Sequence, residues 1–262
     1  MITALYSAAT GMEAQETNIN VVANNLANVN TTGFKRSRAN FQDLLYQNAR
    51  AVGSAATADT QVPTGIQVGL GTRTASVEKV HTVGDLQRTG NDLDIAIEGN
   101  GFFQVEQPDG ETAYTRDGSF KKDSEGRLVT ADGNPVIPEI VIPENATKIA
   151  VGQDGTVTAF LDSEAAGNEI GTMELARFGN PAGLISLGNN LLQQSDASGA
   201  PILGEAANDG FGGIAQGFLE GSNVSIMQEM IDLISGQRAY EVNSKAVKAS
   251  DEILQQTTQL VA

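Results

Sequence analysis

Cysteine and tryptophan are absent from this 262-residue chain, and histidine occurs once. Without cysteine there is no disulfide framework, no thiolate metal site and no thiol nucleophile. With His81 alone, in VEKVHTVGDL, imidazole metal clusters and Ser-His-Asp chemistry would rest on a single residue. Its place at a predicted strand end reads as an ordinary surface or turn role. GNGFFQ, residues 99–104, has two of the glycines of a dinucleotide fingerprint and precedes a strand pattern, and no G-x-x-x-x-G-K-[ST] occurs. No apolar run approaches the roughly 20 residues that span a bilayer. The opening MITALYSAAT has neither the basic start nor the continuous apolar stretch of a secretory signal. The chain is therefore expected to bind no cofactor or metal, to insert in no membrane, and to need another route if it is exported.

Basic charge is also scarce. The net charge is −16, and no basic stripe exists to displace counterions from nucleic acid. Residues 1–50 hold four Lys/Arg against three Asp/Glu, residues 51–218 nine against 23, and residues 219–262 three against six. The acidity belongs to the middle, where it reads as a solubilising surface. Asp92 and Asp94, in GNDLDIAI, would share one face if that segment were extended. Paired carboxylates can run glycoside hydrolysis, but Asp in turns is the simpler reading. DSEG, residues 123–126, is too short for a calcium loop and reads as a hairpin turn.

Each end of the chain has a helical period. Leu5, Ala8, Met12, Gln15, Ile19, Val22, Leu26 and Val29 recur at steps of three and four, a stripe about 42 Å long at 1.5 Å per residue. Asn30 to Gly33 supply the stop. At the other end Ile226, Met230, Leu233, Tyr240, Val247, Leu254 and Val261 form one row, and Val242, Ala246, Ala249, Ile253 and Leu260 a second. Ser222 or Asn223 can cap this helix, whose one internal glycine is Gly236. Two apolar rows suit contact with more than one partner helix. Between the helices, short alternating runs are punctuated by Pro108-Asp109-Gly110, Asp132-Gly133-Asn134 and Asp154-Gly155, the mark of an all-β region. Residues 47–71 are small, polar and Gly-rich, a linker or extended arm. The reading is α+β: a helix in residues 1–34, a connecting segment with an arm in 35–72, a β-rich domain in 73–218 and a helix in 219–262. The two helices are expected to cover each other as a coiled coil, with the β domain inserted between them.

From Thr17 to Phe34 there is no charged side chain and there are six asparagines. A solvated helix end carries charge, and a membrane helix does not carry so many amides. Asn both donates and accepts, so it satisfies a neighbour without the cost of burying a charge. Thr17, Asn20, Asn24, Asn28 and Thr31 fall on one side. This surface is expected to be covered by other copies of the chain.

ANNLANVNTTGFKR and QRAYEVNSKAVKASDEILQQTTQL resemble the terminal signatures of the bacterial flagellar axial proteins, the rod and hook subunits. NFQDLLYQ, PTGIQVGLGTR, GDLQRTGNDLDIAIEGNGFFQV, AYTRDGSFKKDSEGRLVTADGNPVIP and GFLEGSNVSIMQEMIDLI extend the likeness to nearly the whole chain, and within the family point to its distal-rod branch over proximal rod or hook. The resemblance implies a non-enzymatic subunit that leaves through the flagellar export apparatus without a cleaved signal. It implies a helical homopolymer across the periplasm, joined to proximal rod and hook subunits, surrounded by basal-body ring proteins and transmitting motor torque. The terminal helices would form an inner coiled-coil layer with the β domain outside, and the 47–71 arm would reach neighbouring subunits. On that reading Leu5, Met12, Ile19, Val22 and Leu26 form a seam with Tyr240, Val247 and Leu254. Asn24, Asn25 and Asn28 make hydrogen bonds near the helix exit, and Gly33, Phe34 and Asn243 complete the assembly set. A secreted β-rich module binding cell-wall glycan, or a hydrolase using Asp92 and Asp94, are the readings from other classes.

Overall fold

The computed structural model describes residues 2–50, 64–161 and 167–261, which form an α+β protein with a helix near each terminus and strands between. The centre of the 47–71 arm lies outside the described residues. The chain divides into two compact units, one of residues 1–26, 37–78 and 226–262, the other of 27–36 and 79–225.

The first unit holds α1 (Ile2–Ala27), α2 (Ile226–Val261) and four strands, β1 (Ser37–Asp43), β2 (Tyr46–Arg50), β3 (Ile66–Gly69) and β4 (Thr72–Lys79). No residue of the periodic row Leu5 to Val29 is exposed, and Ala8 and Val22 are buried. Positions off the row, including Ala4, Tyr6, Ala9, Glu13, Glu16, Asn20 and Asn24, face solvent. The helices run antiparallel: a Cβ on Gly236 would lie 3.2 Å from Ile19 Cγ1, a Cβ on Gly11 would lie 2.9 Å from Asn243 Nδ2, and Asn25 reaches Glu229. Gly236, costly to a helix in isolation, is thus a place where the lack of a side chain lets the two helices pack closely. Strands β1 and β4 pair, as do β2 and β3, with Tyr46 opposite Gly69 and Arg50 opposite Ile66. Every residue of β2 is exposed.

Boundaries differ from the periodicity at two places. Helix α1 ends at Ala27, before the last apolar residue of the row. Asn28 accepts from the Thr31 hydroxyl at 3.1 Å, and such side-chain hydrogen bonds draw the backbone into turns. Helix α2 starts at Ile226, because residues 218–220 are a strand. Neither proposed cap serves it. The Asn223 carbonyl oxygen instead accepts from Arg36 N at 2.7 Å, and its amide donates to Val80 O at 2.8 Å.

The second unit is built on a sheet whose strands are β5 (Phe102–Glu106), β6 (Thr112–Thr115), β7 (Val136–Ile137), β8 (Glu174–Arg177), β9 (Ile185–Gly188), β10 (Leu191–Gln193) and β11 (Ile202–Glu205). Their order is β9-β10-β6-β5-β8-β11, with β7 also on β5. Alternation sorts the side chains. Phe103, Val105, Ala113, Leu175 and Leu191 enter the larger core with Ile95, Ile97, Phe120, Ile140 and Met173, while Phe102, Tyr114, Ala176 and Leu192 form a smaller core with Phe178 and Leu184 on the opposite face. Tyr114 and Phe102 each meet Phe178 edge to face, at centroid distances of 4.8 and 5.9 Å. Gly110, Gly133 and Gly155, in the three turns read from the sequence, all have positive φ. Central strands such as β5, buried on both faces, tolerate truncation poorly. Phe103→Ala is expected to cost about 3–5 kcal/mol, measured as a fall in the urea midpoint of the β-sheet circular dichroism signal.

Candidate functional site

Two places concentrate polar groups away from water. In the first unit Asn25, 1% exposed, joins three elements. Its amide donates to Glu229 Oε2 at 3.1 Å and to Ser37 O at 2.9 Å, and its carbonyl oxygen accepts from Ser37 N at 2.8 Å. Glu229 is 0% exposed and sits in the first turn of α2, where the helix dipole favours a carboxylate.

The second place lies in the other unit, where the stretch following α1 and the stretch preceding α2 meet. Glu220, fully buried, accepts from Lys35 Nζ and from Gly84 N through Oε1 and pairs through Oε2 with Arg116 Nε at 3.1 Å. Lys35 also donates to Thr82 O at 2.7 Å, and Arg116 to Gly101 O at 2.9 Å and Gly99 O at 2.7 Å. Burial, then the Arg116 charge, push the Lys35 ammonium below its ordinary pKa range, and Glu220 opposes both. Burial lowers Arg116 too, against the same carboxylate. Gly33 closes the arrangement: its N–H donates to Glu220 O at 2.8 Å. Its φ is +68°, and a Cβ there would lie 2.7 Å from the backbone at Arg116 and Asp117, so only glycine fits.

His81 stands beside this cluster, edge-on to Phe102 at 5.6 Å, in the wall of a cavity of about 160 Å³ shared with Asn100, Arg116 and Arg177. Of the surface or turn role read from its strand-end position, the surface part is corrected, because both ring nitrogens are buried, while His81 does lie in a loop just after β4. Burial first, then the charges of Lys35, Lys79 and Arg116, hold its pKa at about 4. The supposed carboxylate pair separates. Residues 92–93 form a turn, Asp92 is exposed, and Asp94 is 8% exposed and accepts from Asn91 Nδ2 at 3.0 Å. The condition for a shared face, an extended segment, is not met. DSEG is a hairpin turn in which Asp123 accepts from Glu125 N and Arg127 N. Among the described residues no group of carboxylates and imidazole could hold a metal, and no helix is long and apolar enough to cross a membrane.

Of the assembly set, Leu5, Met12, Ile19 and Leu26 are half-buried on the covered face of α1, with Val22 buried beside them. Val247, Leu254 and Asn243 are half-buried on α2, but Tyr240 is 41% exposed and does not join them. Asn25 is buried, Asn28 turns the chain, Asn24 faces outward, and Phe34 lies 5.9 Å from Lys79 Nζ. Single-sequence reasoning did not single out Lys35, Arg116 or Glu220. The one available signal was Lys35 itself, the first charge after a long uncharged run. On α2 an outward row stays bare: Met227 is 75% exposed, Met230 50%, Ile234 47% and Val242 63%.

Two outcomes are expected. Glu220→Gln leaves two buried cations without their counter-charge and should lower stability by about 3–5 kcal/mol, read as a shift of the urea midpoint. Because the His81 pKa is depressed in the fold, the unfolded chain binds more protons between its ordinary value near 6.5 and about 4. Stability is therefore complete above that window and falls through it on acidification, by on the order of 3 kcal/mol in all. Urea titrations at pH 7 and pH 4.5 should show this slope, and His81→Gln should flatten it.

Known proteins match the whole chain. Residues 5–35 match the family described as flagella basal body rod protein, residues 96–159 the flagellar hook protein FlgE/F/G D1 domain, and residues 215–260 the flagellar basal body rod FlgEFG protein C-terminal region. Similar proteins include the flagellar basal-body rod protein FlgG of Agrobacterium fabrum, 50% identical over 95% of this chain and 96% of the relative. The FlgG of Buchnera aphidicola from Schizaphis graminum is 48% identical over 99% of this chain and all of its own, and that of Bacillus subtilis 40% over 99% of each. At that identity over essentially full length, the chain belongs to the flagellar basal-body rod protein family.

Proposed function

We propose that this chain is a structural, non-enzymatic subunit of the flagellar distal rod, polymerising into a helical tube that carries motor torque across the periplasm to the hook. The observation that carries the reading is the bare apolar row on α2. Met227, Met230, Ile231 and Ile234 are each between 47% and 75% exposed and lie within two helical turns. Side chains of this kind stabilise a structure only when removed from water, at about 25 cal/mol per Å², and the subunit supplies no cover. Copies of the same chain do, if helix packs beside helix through a head-to-tail contact that repeats without closing. The covered row of α1 against α2 then serves as the coiled-coil element within the subunit, with the β-rich part inserted between the two helices in sequence. The exposed amide of Asn20 on α1 suits a contact between copies, where it satisfies backbone groups without a buried charge.

Proximal rod and hook subunits would meet the two ends of the tube, ring proteins its circumference, and the export apparatus the unfolded chain. The family membership and the full-length likeness to basal-body rod proteins support this placement. The separated environments of Asp92 and Asp94 weigh against the hydrolase reading.

Concentrated wild-type chain is expected to form rods in negative-stain images. Met230→Asp with Ile234→Asp changes only exposed positions, so the thermal melt should be unchanged while rods are lost. A double variant that still forms rods at the wild-type concentration would falsify the α2 contact.

A further inference from the structure

Four cations of the second unit, Lys35, Lys79, Arg116 and Arg177, line two cavities that share Arg116. Lys35, Arg116 and Glu220 account for each other, but Lys79 and Arg177 form no ion pair among the described residues. Both are half-buried, and burial pushes the Lys79 ammonium below its ordinary pKa range. Each is held over a ring: Lys79 Nζ lies 5.9 Å from the Phe34 centroid and the Arg177 guanidinium 5.3 Å from that of Phe211. A ring face positions a cation without neutralising it. Arg116 lies between them, lining one small cavity with Lys79 and the about 160 Å³ cavity with Arg177. Neither lining includes a carboxylate, although residues 51–218 carry nine basic against 23 acidic side chains.

Holding unpaired cations partly out of water costs free energy that the ring contacts return only in part. A carboxylate entering the cleft would return it through charge-assisted hydrogen bonds. We propose that the cleft flanking Arg116, with Lys79 on one side and Arg177 on the other, receives carboxylate side chains of a second copy of this chain. Charge complementarity chooses the occupant. The same segment is strongly acidic, so each copy carries both the excess carboxylates and a place lined by cations that lacks them. This inference rests on the polymer reading above and adds to it a polar, register-setting contact separate from the apolar row of α2.

The test uses the full chain, mixed from isotopically labelled and unlabelled preparations, assembled and then treated with a water-soluble carbodiimide, which joins an amine to a carboxylate in direct contact. Peptides linking Lys79 to an Asp or Glu of the other isotopic form are expected in the assembled sample, and should be absent from dilute chain and from Lys79→Met. Lys79→Met with Arg177→Met should raise the concentration needed for assembly about tenfold or more without lowering the thermal midpoint, while Lys148→Met, at an exposed lysine, changes nothing. Rods in which Lys79 forms no link between copies, or a double variant assembling at the wild-type concentration, overturn the inference and leave the rod reading intact. A chain that never polymerises overturns both.

Discussion

The structure of the β-rich unit turns on a carboxylate that no water reaches. Glu220 pairs with both Lys35 and Arg116, each almost wholly buried, and the backbone around it is spoken for at Gly33, Gly84, Gly99 and Gly101. A buried ion pair is weak evidence of stability, because desolvation can exceed the attraction. Its value here is positional. It binds the stretch after α1, the stretch before α2 and two loops of the sheet at fixed geometry, where an apolar contact of equal strength would tolerate sliding.

Amides do the corresponding work wherever charge would be too costly. Asn25 links Glu229 to both backbone groups of Ser37, and Asn223 links Arg36 to Val80. Gln216 donates to Ile149 O and Asp92 O and accepts from Val151 N. In each case one side chain replaces a missing ladder partner with a donor and an acceptor fixed about one carbon apart. The asparagine-rich character of the first helix is therefore partly internal. Asn25 and Asn28 serve the subunit's own fold, whereas Asn20 faces outward.

Much of the architecture was legible because its signals are local. The period of Leu5 to Val29 marked the covered face of α1, and the Asp-Gly turns marked the hairpins, since both follow from repeat length and backbone preference. The helix ends were less legible. Ala27 and Ile226 are set by hydrogen bonds that Asn28 makes locally and Asn223 makes to distant segments. Tyr240 shows the limit of periodicity, since a row of apolar residues names a stripe but not which of two neighbouring stripes is covered. The buried cluster was not legible at all. Lys35, Arg116 and Glu220 look like surface residues in sequence, and only long-range pairing brings them inside. His81 was misplaced for the same reason, as its neighbours along the chain say nothing of Phe102 and Arg116.

The span of the Lys35–Glu220 contact, 185 residues, also sets an order of events. A chain emerging amino end first presents Lys35 and Arg116 long before their counter-ion arrives, and closing so long a loop is slow. Until the strand at 218–220 is available, enclosing either cation would carry its full desolvation penalty. The late carboxylate thus acts as a latch on maturation. The β-rich unit stays open until the strand at 218–220 joins it, and locks only then.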